Sequence, residues 1–125
     1  MYRIMLADDE GLELTALKYM IERKFGSQCE IQTARSGRAA IELADSFRPD
    51  IAIMDIQMPG INGIYAMQEI LPNHPDMQFI VLSAYDNFDY AQKSIKLGVQ
   101  EYLTKPVKKD LLLKTLEDVT EEPQQ

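Results

Sequence analysis

Five short apolar runs, near residues 3–7, 29–34, 50–54, 78–83 and 100–104, constrain this 125-residue chain more than any other feature. They are rich in Ile, Val, Leu and Met, and most are near-continuous. Continuous runs of that length fit strands covered on both faces. The segments between them have helical spacing. Leu14, Leu17, Ile21 and Phe25 give a first helix its apolar stripe, and Gly26 stands at its end. Ser36 is placed to cap a second helix, with Ile41, Leu43, Ala44 and Phe47 inward and Pro49 as its stop. A third runs over about 63–71, ending before Pro72. Asp86 is placed to cap a fourth, which stops at Gly98. A fifth follows Pro106, with Leu112, Leu116 and Val119 on one side. Five strands alternating with five helices predict an α/β fold, a doubly wound parallel sheet with right-handed crossovers.

The length suits one domain, here 1–120, with the polar residues 121–125 as a linker or tail. A 46% hydrophobic and 26% charged composition is that of an ordinary globular protein. Twenty acids against 13 bases leave a net charge of −7. A surface that acidic opposes DNA, RNA and anionic membranes, so no direct nucleic-acid or membrane contact is expected. No apolar run approaches the roughly 20 residues of a membrane helix, and the N-terminus has no signal-peptide pattern. A cytoplasmic location is the default expectation. Cys29 is the only cysteine, which excludes an internal disulfide and a cysteine-based zinc site. It is expected to be a small buried residue at a strand start. His74 is the only histidine and reads as a surface-loop residue, and the seven methionines read as gap fillers.

Polar residues stand where the strands should end: Asp8 and Asp9 after the first, Asp55 after the third, Ser83 after the fourth and Lys105 after the fifth. In an open parallel sheet, ligands bind outside the carboxyl ends of the strands. These residues should therefore converge on one site able to hold a divalent metal and move a phosphoryl group. Adjacent carboxylates such as Asp8 and Asp9 repel unless solvated or bound to a cation, and Mg²⁺ suits oxygen ligands. The plainer alternative is an acidic turn capping the first helix, with Glu10 either holding an outer water or favouring the helix N-terminus. Asp55 is either a nucleophile that forms an acyl phosphate or a strand-end turn former. The Pro59-Gly60 turn leaves the Gln57 backbone carbonyl available as a metal ligand. Ser83 is a phosphoryl hydrogen-bond donor or the start of a turn. Lys105, before Pro106, is an ammonium for carboxylate and phosphate or a solvated lysine; a cis bond at the proline would turn it into the site. Tyr102 is a core aromatic or an edge-strand ring free to swing.

Taken together, these residues resemble the receiver domain of two-component response regulators. The resemblance spans essentially the whole chain and rests on Asp8-Asp9, Asp55 with Met58-Pro59-Gly60 and Asn62-Gly63, Ser83-Ala84, and Lys105-Pro106. Each piece is weak alone; the ordered set is specific. It implies a flavodoxin-like five-stranded sheet in the order 2-1-3-4-5. It implies Mg²⁺-dependent phosphoryl transfer from a sensor histidine kinase to Asp55, making this a phosphoacceptor and not an enzyme with a separate substrate. By that resemblance Asp8, Asp9, Asp55 and the Gln57 carbonyl bind Mg²⁺, and Ser83 and Lys105 hold the phosphoryl group. Ser83 and Tyr102 are the switch, acting on a face formed by the fourth helix, fifth strand and fifth helix. Gln57 and Tyr85 border the approach of the hydrolytic water, and neither is a carboxylate that could orient it.

The stretch from Ser83 to Ala91, with Gly98 and Tyr102-Leu103, is similar to receivers fused to AraC-type helix-turn-helix output domains. No such output domain follows here. Either the chain is cut after the fifth helix or it is a stand-alone receiver, and the polar tail favours a cut. Transcriptional control and dimerisation on phosphorylation are the corresponding expectations. A flavodoxin-type FMN site would need a Ser/Thr/Gly-rich cradle where Asp8-Asp9-Glu10 stand. A dehalogenase-like phosphatase would need an acid at position 57, which is Gln. A receiver-shaped module that is never phosphorylated would not need the intact acid set.

Overall fold

The computed structural model describes residues 1–84 and 88–120. The elements run β1 (Tyr2–Ala7), α1 (Gly11–Phe25), a short 3₁₀ turn (Gly26–Gln28), β2 (Cys29–Ala34), α2 (Gly37–Phe47), β3 (Ile51–Asp55), α3 (Gly63–Ile70), β4 (Gln78–Ser83), α4 (Phe88–Leu97), β5 (Glu101–Thr104) and α5 (Lys109–Thr120). The strands pair in the order β2-β1-β3-β4-β5, each neighbouring pair parallel. This is the expected doubly wound sheet in the expected order. The expected cap at Asp86, the role of Tyr85 and the tail 121–125 lie outside the described residues.

Strand alternation divides the core in two. Ile4 and Leu6 of β1, Ile51 and Ile53 of β3, Ile80 and Leu82 of β4 and Leu103 of β5 face α1 and α5. There they meet Leu14, Leu17 and Ile21 from α1 and Leu112, Leu116 and Val119 from α5. Met5, Ala52, Met54, Phe79 and Val81 point the other way, against Ala40 and Ala44 of α2 and Ile64, Met67 and Ile70 of α3. Because β3 is covered on both faces, all of Ile51–Asp55 is buried, which accounts for its unbroken apolar run.

The helix boundaries follow local chemistry. The Ser36 side chain accepts from the Ala39 N–H at 3.1 Å, capping α2. Arg48 then ends α2 in a left-handed conformation, one residue before Pro49. Asn62 caps α3 by accepting from the Tyr65 N–H at 3.0 Å. Three readings are refined. Ile41 and Leu43 are only partly buried, because the face of α2 turned to the core is the one that carries Gly37, Ala40, Ala44 and Phe47. Cys29 begins β2 but is half-buried at the sheet edge. The His74 ring is largely covered in its turn, with Nε2 at 2.8 Å from Asp45 Oδ1 on α2.

Candidate functional site at the carboxyl end of the sheet

Parallel strands bring Asp8, Asp55, Ser83 and Lys105 to one end of the sheet, as the sequence predicts. Asp8, Asp55 and Ser83 are buried, at 1%, 4% and 0% exposure. By strand alternation Asp8, Asp55 and Lys105 continue the α1/α5 side, whereas Ser83 continues the side of α2, α3 and α4. The Lys105 ammonium joins the first group. Its Nζ lies 3.0 Å from Asp8 Oδ2, 3.2 Å from Asp55 Oδ2 and 2.7 Å from Glu13 Oε2. The Lys105–Pro106 bond is cis, and the Lys105 N–H donates to the Ser83 carbonyl at 2.7 Å.

Asp9 completes a carboxylate cluster. Asp8, Asp9 and Asp55 each offer an oxygen, all within 4.8 Å of one another. Lys105 pairs with Asp8, Asp55 and Glu13, Asp9 adds a fourth carboxylate, and Arg35 donates to the Asp9 carbonyl at 3.2 Å, so four acids outnumber the two nearby cations among the described residues. Burial pushes the Asp55 carboxyl up, against the pull of Lys105, and the charge of Asp8 adds to the rise, which reaches about 6. Burial would also raise Asp8, but the Glu10 N–H at 2.9 Å, Glu13 and Lys105 hold it below its ordinary value. Glu13 is pulled down by Lys105, yet the hydrogen bond with Asp8, partial burial and the Asp8 charge leave it raised. Lys105 is disfavoured by burial but raised overall by Glu13, Asp8 and Asp55. An all-oxygen donor set with unbalanced negative charge fits a hard divalent cation of the Mg²⁺ type.

The loop after β3 is held by close backbone packing. The Ile56 carbonyl accepts from the Met58 and Gly63 N–H groups, both at 3.0 Å. The turn thus closes on Ile56 rather than on the Gln57 carbonyl. A Cβ at Gly63 would lie 2.5 Å from the Asp55 carbonyl oxygen, and one at Gly37 would lie 2.1 Å from that of Ile61. Both glycines are therefore required for α2 and α3 to approach this loop. Asp55 Oδ1 accepts from the Gln57 N–H at 3.2 Å, and an open cleft of about 450 Å³ lies between Asp9, Gln57, Asn62 and Tyr90.

Residues 4–117 match the family model described as the response regulator receiver domain. The chain belongs to this family. Its curated relatives include the uncharacterized transcriptional regulatory protein YesN of Bacillus subtilis, 36% identical over 98% of this chain and 33% of that protein. The transcriptional regulatory protein HptR of Staphylococcus aureus is 36% identical over 86% of this chain and 42% of its own length. The chain thus spans a third to less than half of these two relatives. Among solved structures, the receiver domain of AraT, a response regulator from Geobacillus stearothermophilus, is 30% identical with a TM-score of 0.80, covering 97% of both chains. A CheY-like receiver domain from Methanospirillum hungatei shares the fold, with a TM-score of 0.91 at 23% identity, covering 98% of this chain and 95% of that one.

Two features of this receiver domain are absent from the sequence reading. Glu13 sits one turn before Leu17 of the buried stripe, at the end of α1 nearest the strand ends. An acid bordering an apolar stripe there is the signal that could have found it. The Gln57 side chain reaches across to Ser83 and Ala84, a contact that spacing does not signal. Glu10 is exposed; its backbone N–H, not its side chain, serves the site. Tyr102 packs against the cluster on the side of α2, α3 and α4, with its hydroxyl buried and without a partner among the described residues. Among the described residues, no helix is long and apolar enough to cross a membrane.

Proposed function

We propose that Asp55 accepts a phosphoryl group from the phosphohistidine of a sensor histidine kinase and that the resulting acyl phosphate switches an output domain. The observation that carries this reading is the Lys105 ammonium held between Asp8 and Asp55, with Asp9 in the same cluster. A carboxylate oxygen of Asp55 attacks phosphorus, the bond to the kinase histidine breaks, and that nitrogen takes a proton. Lys105 is a point charge for the transferred group, and the Ser83 hydroxyl donates to one of its oxygens. Asp8, Asp9, Asp55 and the Gln57 carbonyl would hold Mg²⁺. When bound, it offsets the charge that gathers on the acceptor and the transferring oxygens. The apolar groove of about 400 Å³ formed by Ala16, Leu17, Met20 and Val107 beside Lys105 offers the kinase a surface next to the acceptor.

Ser83 and Tyr102 form the switch in this reading. The Tyr102 ring already faces the core, so phosphorylation biases an existing equilibrium on the face of α4, β5 and α5. The output is transcriptional, consistent with the names of the relatives, and of AraC type by the resemblance of residues 83–103. Dimerisation accompanies activation. The domain assists its own phosphorylation and dephosphorylation and acts on no other substrate.

Intact-mass measurement after incubation with a small phosphodonor tests this. One adduct is expected, dependent on Mg²⁺ and lost in Asp55→Asn. A full adduct on that variant rejects the assignment.

A further inference from the structure

The Gln57 side chain crosses from the loop after β3 to two donors at the end of β4. Its Oε1 accepts from the Ala84 N–H at 3.3 Å and from the Ser83 hydroxyl at 3.5 Å. Two donors converge on one oxygen, and the backbone N–H of the same Gln57 donates to Asp55 Oδ1 at 3.2 Å, so the donor pair forms a seat for an anionic oxygen near the acceptor. The amide nitrogen fixes the sense of the arrangement. Gln57 Nε2 is buried and has no hydrogen-bond partner among the described residues. Turning the amide over would set its N–H groups against the Ala84 N–H, so the oxygen is the atom at the seat. Both contacts are long, and the amide leaves one of its own groups unsatisfied to make them. Gln57 is a weak occupant that a better acceptor can displace.

We propose that the Gln57 side chain is a gate in the phosphoryl seat, standing in for a phosphoryl oxygen at Ser83 and Ala84 until an Asp55-bound group displaces it into the open cleft. The inference rests on the phosphoacceptor reading of Asp55 and goes beyond it. It assigns to Gln57 a control of how readily the site fills, distinct from the role of its backbone carbonyl. Removing the acceptor should make the site easier to fill. Removing only the bulk should not be necessary.

Beryllofluoride with Mg²⁺, a non-covalent stand-in for the phosphoryl group, supplies the test by titration calorimetry on wild type, Gln57→Met and Gln57→Ala. Met keeps the bulk of Gln without its acceptor. Both variants should bind beryllofluoride about fivefold more tightly, the order of one neutral hydrogen bond released. Equal beryllofluoride affinity in all three proteins overturns the gate. Tighter binding by Gln57→Ala alone also overturns it, because bulk and not the acceptor would then be the obstacle. No binding by any of them rejects the phosphoacceptor reading itself, and the gate with it. A measurement on wild type alone covers the case of a variant that does not fold. The Gln57 side-chain NH₂ resonances should shift and exchange faster with solvent on adding beryllofluoride, and unchanged resonances overturn the inference.

Discussion

The two sides of the sheet are built from different materials. Toward α1 and α5 the buried cluster among the described residues is branched aliphatic throughout, Ile, Leu and Val. Toward α2, α3 and α4 it holds Met5, Met54, Met58, Met67 and Met77 among many alanines. The polar atoms divide the same way. On the first side Lys105 is shared by three carboxylates, and the buried Thr115 hydroxyl donates to the Leu111 carbonyl at 2.8 Å. On the second, Gln57 Nε2, Ser94 Oγ and Tyr102 Oη are buried without a partner among the described residues. Branched side chains have few rotamers and fix one packing, whereas methionine adapts. Each unpartnered buried polar atom costs about 1–3 kcal/mol, so an arrangement that frees it lies close in energy. The satisfied side holds the proposed acceptor in place; the unsatisfied side is the one able to change shape.

If that contrast is right, the largest loss should come from the satisfied side. Lys105→Met leaves Asp8, Asp55 and Glu13 without their cation and should cost about 3 kcal/mol at pH 7.5 in urea denaturation. The loss should shrink at pH 5, because Asp55 then takes a proton. A loss that does not depend on pH would mean that the ammonium is not offsetting buried charge.

The next effect has the opposite sign. The Asp55 carboxyl is raised from 3.8 to about 6 in the fold. Between those values the native state binds more protons than the unfolded chain, so stability falls as pH rises through this window. The full penalty is present above pH 6 and vanishes toward pH 4. Asp55→Asn should therefore stabilise the metal-free domain at pH 7.5 by up to about 3 kcal/mol, with little gain at pH 4. Added Mg²⁺ should narrow the difference, since it favours the ionised acid only in wild type. A variant no more stable than wild type at pH 7.5 would show that Lys105 alone balances the site.

The legible and illegible parts of this molecule divide along a physical line. Strand ends, caps and turn residues act through backbone geometry, which spacing records. Asp8, Asp55, Ser83 and Lys105 therefore stand at strand ends because they follow apolar runs, and Ser36 caps α2 as its spacing predicts. Side-chain reach is not recorded by spacing. Glu13 joins Lys105 across α1, and the Gln57 amide crosses from the β3–α3 loop to the end of β4, both through rotamers that no periodicity encodes. The half-buried state of Cys29 follows from β2 being an edge strand, and that depends on strand order. The order itself came from the family resemblance and not from the runs.

On the unsatisfied side, removing the orphaned hydroxyls should do no harm. Tyr102→Phe and Ser94→Ala should each be neutral or stabilising by about 1 kcal/mol. The same deletion at the bonded Thr115, Thr115→Val, should instead destabilise. If phosphorylation moves the ring of Tyr102, hydrogen exchange in residues 88–104 should also respond to beryllofluoride in wild type. Unchanged exchange would remove this face from the switch.

The smallest effect tests the packing itself at neighbouring positions of one strand. Ile53 and Met54 are both buried in β3, at 1% and 0% exposure, and face opposite sides of the sheet. Exchanging shape at nearly constant volume should cost more where the neighbours are stiff. Ile53→Leu sets a differently branched chain among Ile and Leu residues with little freedom to adjust, and should cost about 1 kcal/mol. Met54→Leu has methionine neighbours that can fill the altered outline, and should cost less than about 0.5 kcal/mol. The backbone, strand and burial are held in common, so the difference between the two reads the compliance of each face. Equal costs would mean that methionine does not soften this core, and mobility of that side would then rest on its unpartnered polar atoms alone.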